Sequence, residues 1–353
     1  MIPIHNVYYM LSYAWDHAQE RRDLDLSGAP ADTPQDLFAL VLARGVLKLL
    51  RRGLDRDYVT EQRALKGVRG RIAVDETVKR ALRARGEIAC TYDELSHDVL
   101  QNRIVAETMR RLLRLTCLAS EVRDELELAA ARFPHVTRLE LSAGVFSTVV
   151  IHRNNRFYRF LLDICRLIHD NLLVSKDVSG GYRFYDFRRD EGRMGALFEA
   201  FVRNFLAAEQ DRFRVSAPTV PWAVGRSDEH SLRHLPSMKT DIVLRDAGHR
   251  IIIDTKFYQE PLGGQYEVNK VRSNNLYQIL AYVQNAAAAF PEGQVEGMLL
   301  YAAVGEELSF DYEILGRLIR VRSIDLDQSW QGVHTELQQK LGIVSDARSE
   351  AVA

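Results

Sequence analysis

The sequence predicts an α+β protein with two domains: a helical amino-terminal domain that contains a small β element, and an α/β domain built on a mixed central sheet. Apolar residues recur at helical spacing through most of the first half, as in helices that pack along one face. In the second half, short apolar and β-branched runs alternate with helical stretches. A chain of 353 residues can fill two cores, and we place the domains at residues 1–155 and 156–345.

The first domain begins with an apolar helix predicted over residues 2–16. A second helix, predicted over residues 37–50, has Thr33 or Asp36 as its cap, and Gly53 is placed to end it. The remaining predicted elements are a short β segment at residues 58–74 and helices at 75–85, 98–116 and 120–131.

The second domain has strand candidates that are interleaved with helices. An uninterrupted apolar run at residues 298–302 has the character of a central strand covered on both faces. Predicted helices lie at residues 156–173, 194–208, 273–282 and 329–341; predicted strands lie at 182–187, 213–220, 241–245, 250–258, 295–304 and, at a sheet edge, 321–326.

Composition narrows the classes of function. The formal net charge is −1, so binding to DNA would depend on local basic patches. Cys90, Cys117 and Cys165 are far apart, lack the spacing of zinc or redox sites and fit a reducing cytoplasm. The absence of a long apolar run and of a basic leader predicts neither a membrane span nor a signal peptide. Without a phosphate-binding G-x-x-x-x-G-K-[ST] loop, the chain is not expected to hydrolyse nucleotides itself.

One basic stretch stands out, from Lys48 to Arg85, where twelve Lys and Arg residues outnumber five acids. Such a stretch can bind phosphates or an acidic partner surface, or it can be a solvated helix face. Arg69 and Arg71 flank Gly70 in a tight turn, and they are the candidates for contact with a partner or a phosphate.

The most informative segment is a predicted β-hairpin at residues 241–258. If residues 246–249 form its loop, Arg245 faces Arg250 and Asp241 faces Asp254. Residues directly opposite each other have Cβ atoms about 5 Å apart, and like charges placed there repel, so the two aspartates require a cation between them. Lys256 shares the sheet face of Asp254, because strand side chains alternate with period 2.

These residue types fit metal-assisted hydrolysis. Hard carboxylate oxygens suit Mg²⁺, with Mn²⁺ as an alternative. Lys256 could then orient the attacking water or neutralise phosphate charge. An Asp-x-Lys sequence at a strand end, taken alone, is usually an ordinary solvated ion pair, and the facing Asp241 and the apolar run before Asp254 favour the functional interpretation here. A downstream helix places Gln278 and Tyr282 four residues apart on one face, where they could orient the site.

The hairpin followed by Gln278 and Tyr282 resembles the PD-(D/E)XK nucleases, particularly the branch with a RecB-type third motif. Nucleases of this fold often place an acid on the helix before the hairpin, which makes Glu199 a candidate third metal ligand; a helix-surface glutamate is the alternative. Across nearly its full length the chain is also similar to the McrC family of the McrBC 5-methylcytosine restriction system. The similar segments are residues 2–15, 66–72, 101–103 and 182–187, the hairpin, and 275–282.

The resemblance implies a division of labour between two proteins. McrC proteins join McrB, an AAA+ GTPase ring that binds the GTP and reads the modified cytosine in double-stranded DNA. The amino-terminal half stimulates the GTPase, and the carboxy-terminal half cuts DNA with acids and a lysine that correspond to Asp241, Asp254 and Lys256. Two alternatives stay open: a non-catalytic GTPase-activating adaptor, and a free-standing RecB-like repair nuclease.

Overall fold

The computed structural model describes residues 2–22, 24, 26, 31, 33–151, 155–174, 182–258, 270–303 and 307–342. The chain forms two compact units, one from Met1–Asp23 together with Asp186–Ala353 and the other from Leu24–Tyr185. Packing units need not coincide with functional domains, so the functional boundary at residue 155 stays a prediction. In the described part, no helix is long and apolar enough to cross a membrane.

The helices of the described residues are α1 Ile4–Ala14, α2 Ala18–Arg22, α3 Pro34–Arg52, α4 Val74–Lys79, α5 Leu100–Leu112, α6 Ser120–Arg132, α7 Ala143–Thr148, α8 Arg156–Asn171, α9 Glu191–Glu209, α10 Glu229–Arg233, α11 Ser273–Ala288 and α12 Trp330–Lys340. The strands are β1 Asp57–Leu65, β2 Arg71–Ile72, β3 Ile88–Ser96, β4 Leu172–Val174, β5 Tyr182–Phe184, β6 Arg214–Ser216, β7 Thr219–Val220, β8 Met238–Lys239, β9 Ile242–Arg245, β10 His249–Phe257, β11 Gln294–Ala303, β12 Ser309–Ile314 and β13 Arg317–Asp325.

A six-stranded mixed sheet is the centre of the first unit, as predicted. Its order is β12-β13-β11-β10-β9-β6. The β10–β11 and β11–β13 pairs are parallel. The β12–β13, β9–β10 and β6–β9 pairs are antiparallel. The edge position predicted for residues 321–326 is wrong, because β13 lies between β11 and β12. The outer strand β12 was not predicted, although its sequence Ser-Phe-Asp-Tyr-Glu-Ile alternates polar and apolar residues, and it pairs antiparallel with β13.

Two helices cover opposite faces of β10. Ile252 packs in an apolar cluster with Ile279 and Val283 of α11. On the other face, a Cβ at Gly195 of α9 would lie 3.7 Å from the Cβ of Phe257. Side chains an odd number of residues apart in a strand point to opposite faces, so α11 and α9 sandwich this strand. Asp254 and Lys256 share the α11 face with Ile252.

The first helix, α1, belongs to the core of the same unit. The ring of Tyr9 lies 5.4 Å from that of Phe201, and its hydroxyl lies 2.9 Å from Nδ1 of His334. Asn6 is buried and donates to the carbonyl of Leu326 over 2.9 Å. The apolar opening segment of the sequence is therefore explained by packing against α9 and α12.

The second unit combines helices with the small sheet β1-β3-β2. The helix predicted over residues 75–85 is interrupted, because Ala81 adopts a left-handed φ of 49° between α4 and a 3-10 turn at Leu82–Arg85. Asn102 is fully buried and donates to the carbonyls of Asp55 and His97. Its own Oδ1 accepts from the hydroxyl of Tyr158 at 2.7 Å, so this network fixes the start of β1 against α5 and α8.

Candidate active site

The β9–β10 hairpin positions the candidate catalytic residues. Arg245 lies opposite Arg250, as the sequence predicts, and the last pair of the ladder is Ile242 with Ile253. Asp246 closes the loop, because its Oδ1 accepts from the backbone amide of His249 over 2.8 Å. The two predicted acids, at 241 and 254, come one residue beyond this last pair.

Asp254 and Lys256 form a buried ion pair on the α11 face of the sheet. The Nζ of Lys256 lies 2.7 Å from Oδ2 of Asp254, and the Asp254 side chain is 1% exposed. Among the described residues, no hydrogen-bond donor reaches Oδ1 of Asp254. The Lys256 side chain keeps 16% of its surface exposed, so the pair can be approached from solvent.

Helix α11 extends this pair into a chain of contacts. Lys256 Nζ donates to Oε1 of Gln278 over 2.9 Å, and Gln278 Nε2 donates to the hydroxyl of Tyr282 over 2.9 Å. That hydroxyl donates in turn to the carbonyl of Lys239 over 3.1 Å. The structure therefore brings together four of the predicted residues, Asp254, Lys256, Gln278 and Tyr282, in a connected series.

Asp241 lies beside this series without joining it. Its Oδ2 accepts from the backbone amide of Thr255 over 2.8 Å and from the Thr255 hydroxyl over 2.9 Å. Thr255, the residue between Asp254 and Lys256, thus fixes the position of the Asp241 carboxylate through two hydrogen bonds. Asp241 as a whole residue is half-buried.

Glu199 belongs to α9, the helix on the opposite face of β10. Its Oε1 accepts from Arg203, one turn further along the same helix, over 2.8 Å. No group of three or more His, Cys, Asp and Glu side chains in the described ranges is arranged to hold a metal ion.

The electrostatics of the site favour an added cation. Burial raises the pKa of Asp254 to about 6; the nearby Lys256 ammonium lowers it, while the charges of Asp241 and Glu199 raise it. Burial by itself would lower the pKa of Lys256, but the neighbouring carboxylates outweigh burial and raise it. Lys256 is thus an ammonium at neutral pH, and three carboxylates act on the site against its single charge.

The sequence did not single out a second polar group beside the pair. Asn275 of α11 is buried and donates to the hydroxyl of Tyr301 over 2.8 Å, and Oδ1 of Asn275 accepts from Tyr258 over 3.3 Å. Tyr301 lies directly opposite Lys256 in the parallel β10–β11 pairing. The register of a parallel pair between distant segments is the signal that would have found Tyr301, and a single sequence does not provide it.

Arg69 lies in the second unit two residues before β2, and Arg71 is the first residue of β2. The guanidinium of Arg69 stacks over the ring of Tyr92 at 4.1 Å, and Arg71 pairs with Thr91 in the sheet. Both side chains are exposed. Gly70 between them has a φ of 67°, and a Cβ there would come within 2.5 Å of the Thr91 carbonyl. The chain bends at residues 66, 67 and 70, and this segment connects β1 and β2 on opposite sides of β3.

Comparison with known proteins identifies the family. The family model of the McrBC 5-methylcytosine restriction system component matches residues 5–302. The chain is 33% identical over 337 residues, 96% of each chain, to the type IV methyl-directed restriction enzyme EcoKMcrBC of Escherichia coli strain K12. It also resembles a chain in a Thermococcus gammatolerans assembly of McrB AAA+ hexamers with bound McrC, with a TM-score of 0.60, 19% identity, and coverage of 95% of this chain and 74% of that one. The chain belongs to the family of McrBC 5-methylcytosine restriction system components, as its resemblance to McrC predicts.

Proposed function

We propose that this chain is the endonuclease subunit of a modification-dependent restriction complex, and that the unit with the six-stranded sheet is a PD-(D/E)XK nuclease that hydrolyses DNA phosphodiesters. The observation that carries the proposal is the series Asp254–Lys256–Gln278–Tyr282 at the carboxyl end of β10. Family membership supports the same function, because the E. coli relative is described as a restriction enzyme.

Asp241 and Asp254 are the residues that would hold Mg²⁺, with Mn²⁺ as a substitute. The buried, unpartnered Oδ1 of Asp254 is an oxygen of the hard type that Mg²⁺ prefers, and the excess of carboxylate charge favours a divalent cation. When bound, Mg²⁺ supplies Lewis acidity at the phosphate and a more acidic water. Glu199, the candidate third metal ligand, pairs with Arg203 on α9 and contributes negative charge to the site.

Lys256 acts as an ammonium that donates to the phosphate or to the attacking water. Its raised pKa rules out a role as general base at neutral pH, because it carries no lone pair while protonated. Gln278 fixes the position of Nζ, and Tyr282 fixes Gln278 while anchored on the Lys239 carbonyl. Such preorganisation is what keeps a charged group aligned with developing charge.

The partner proposed is a McrB-type AAA+ GTPase ring that binds the GTP and recognises modified cytosine in double-stranded DNA, in the cytoplasm. The sheet of the second unit supports a docking role for that unit, because apolar side chains are unusually exposed there: Tyr58 at 71%, Val68 at 62% and Ile72 at 41%. Arg69 and Arg71 lie beside them and are the proposed contacts for an acidic partner surface.

The test is cleavage of DNA containing 5-methylcytosine by the chain together with its cognate ring protein and GTP. Asp254→Asn is expected to abolish cutting while the GTPase of the ring is still stimulated. The matched control is Glu296→Gln, which changes an equally buried acid near the other end of the neighbouring strand and is expected to retain cutting. Full cleavage by Asp254→Asn would end the assignment of this site.

The alternative with a specific observation in its favour is a non-catalytic GTPase-activating adaptor. Asp241 already accepts two hydrogen bonds from Thr255, and three acids do not converge among the described residues. An adaptor would stimulate the ring yet leave DNA intact in the wild type. Cutting without the ring or GTP would instead favour a free-standing RecB-like nuclease.

A further inference from the structure

A pocket of about 560 Å³ lies in the unit that carries the candidate active site. The excursion from β7 to β8, residues 221–237, forms it with an apolar lining that includes Trp222, Leu232, Leu235 and Pro236. Ligand pockets typically have volumes of roughly 300 to 1,000 Å³. Trp222 and Leu232 are 37% and 43% exposed, so the pocket opens to solvent with an aromatic ring at its wall.

The excursion is held by the same helix face that orders the candidate active site. Asn285 Oδ1 accepts from the amide of Ala223 over 2.7 Å, and Tyr282 donates to the carbonyl of Lys239 just after the excursion. Gln278, Tyr282 and Asn285 follow one another at helical spacing on α11. One row of side chains therefore positions both the pocket and the Lys256 ammonium.

The pocket is close to the acids along the chain. Met238 lines the pocket and precedes Asp241 by three residues. Consecutive Cα atoms lie about 3.8 Å apart, so the two positions are separated by at most roughly 11 Å. Duplex DNA rises about 3.4 Å per base pair, so this separation corresponds to at most about three steps between a phosphate at the acids and a base over the pocket.

We propose that this pocket receives an unstacked base of the DNA strand within about three nucleotides of the cleaved phosphate, with Trp222 as its stacking partner. The proposal rests on the proposed nuclease function for its location. An aromatic ring and apolar walls accept any base face, and the serine hydroxyls of the lining can bond to a base edge. Lys239 and Arg226, both exposed, flank the pocket and can contact the neighbouring phosphates.

Trp222 is fixed for this role. Its indole Nε1 donates to the carbonyl of Pro236 over 2.6 Å, which ties the two arms of the excursion together. The indole ring thus keeps its orientation before a base binds. Binding therefore does not have to restrict the motion of this side chain.

The experiment compares two fluorescently labelled probes, a thymidine tetranucleotide and an abasic tetranucleotide with the same phosphates. Binding is measured by anisotropy with the full chain carrying Asp254→Asn, so that cleavage does not interfere. The thymidine probe is expected to bind about tenfold or more tightly than the abasic probe, and Trp222→Ala is expected to abolish this difference. Trp222→Phe should keep most of it, because the stacking face remains.

Tyr312→Ala is the matched control, since Tyr312 is 38% exposed on the outer strand β12. It is expected to leave the difference between the probes unchanged. The proposal is overturned if both probes bind equally or if neither binds at millimolar protein. It is also overturned if Trp222→Ala leaves the difference between the probes unaltered, because the base would then bind at another site. Capture of a partner peptide in the pocket instead of thymidine would also overturn it.

The outcome is separable from that of the nuclease proposal. If the wild-type chain with its ring cuts methylated DNA but the two probes bind equally, the pocket proposal alone fails. If the thymidine probe binds through Trp222 and the wild-type complex cuts nothing, the nuclease proposal alone fails.

Discussion

Replacing Asp254 by Asn is predicted to stabilise the unit that carries the candidate active site in the absence of metal. The pKa of Asp254 is raised from 3.8 to about 6, chiefly by burial. The folded protein therefore binds this proton more tightly than the unfolded chain. Stability from this group is greatest below pH 4, falls as pH rises from about 4 to 6, and is level above that range.

The size of the effect follows from the shift. About two pKa units at 1.36 kcal/mol per unit give about 3 kcal/mol that wild type loses between pH 4 and pH 7.5. Asn resembles the protonated acid and does not titrate, so Asp254→Asn should match wild type near pH 4 and exceed it by about 3 kcal/mol at pH 7.5.

Urea unfolding with EDTA, followed by tryptophan fluorescence, measures this difference. Trp15, Trp222 and Trp330 are the three tryptophans of the chain, and all lie in the unit with the site. Equal or lower stability of Asp254→Asn at pH 7.5, or a difference that does not grow between pH 4 and 6, would refute the reasoning. Lys256→Met is predicted to have the opposite effect in the same assay. It leaves the buried Asp254 carboxylate without its cation and should lower the free energy of unfolding by about 3–5 kcal/mol.

Three further predictions concern single contacts. Gln278→Leu removes the acceptor that orients the ammonium and should slow single-turnover cleavage by the complex about tenfold or more; an unchanged rate would contradict the positioning role. Asn6→Ala loses two hydrogen bonds to backbone carbonyls and should destabilise the sheet unit by about 1–3 kcal/mol in urea unfolding, whereas less than about 0.5 kcal/mol would mean α1 is dispensable. Gly70→Ala meets a left-handed φ of 67° and the Thr91 carbonyl, so circular dichroism should detect a loss of about 1–3 kcal/mol in the tryptophan-free second unit; an unchanged unfolding curve would argue against the strain.

The hairpin at the candidate active site could be predicted from sequence because its information is local. β-branched runs on either side of a four-residue loop fix the register, and the observed pairing of Arg245 with Arg250 follows from that loop. The same alternation put Lys256 on the face of Asp254, where the structure has it. Helical periodicity also put Gln278 and Tyr282 on one face of a helix, and in the structure Gln278 accepts from Lys256 while it donates to Tyr282.

Features that depend on distant segments could not be predicted. An amphipathic pattern shows that α1 packs on something, but it does not reveal that the partner is α9, nearly two hundred residues later. The hydrogen bonds from Thr255 to Asp241 depend on side-chain geometry at the end of a ladder. The position of Tyr301 depends on a parallel pairing whose register no local turn sets.

The most direct test of the account is the location of a bound divalent ion. Anomalous scattering from Mn²⁺ in crystals of the chain should give a peak within coordination distance, about 2.0–2.6 Å, of carboxylate oxygens of both Asp241 and Asp254. The account would be contradicted if saturating Mn²⁺ gave no anomalous peak between those two side chains. A peak elsewhere, with the positions of both side chains unchanged, would contradict it too.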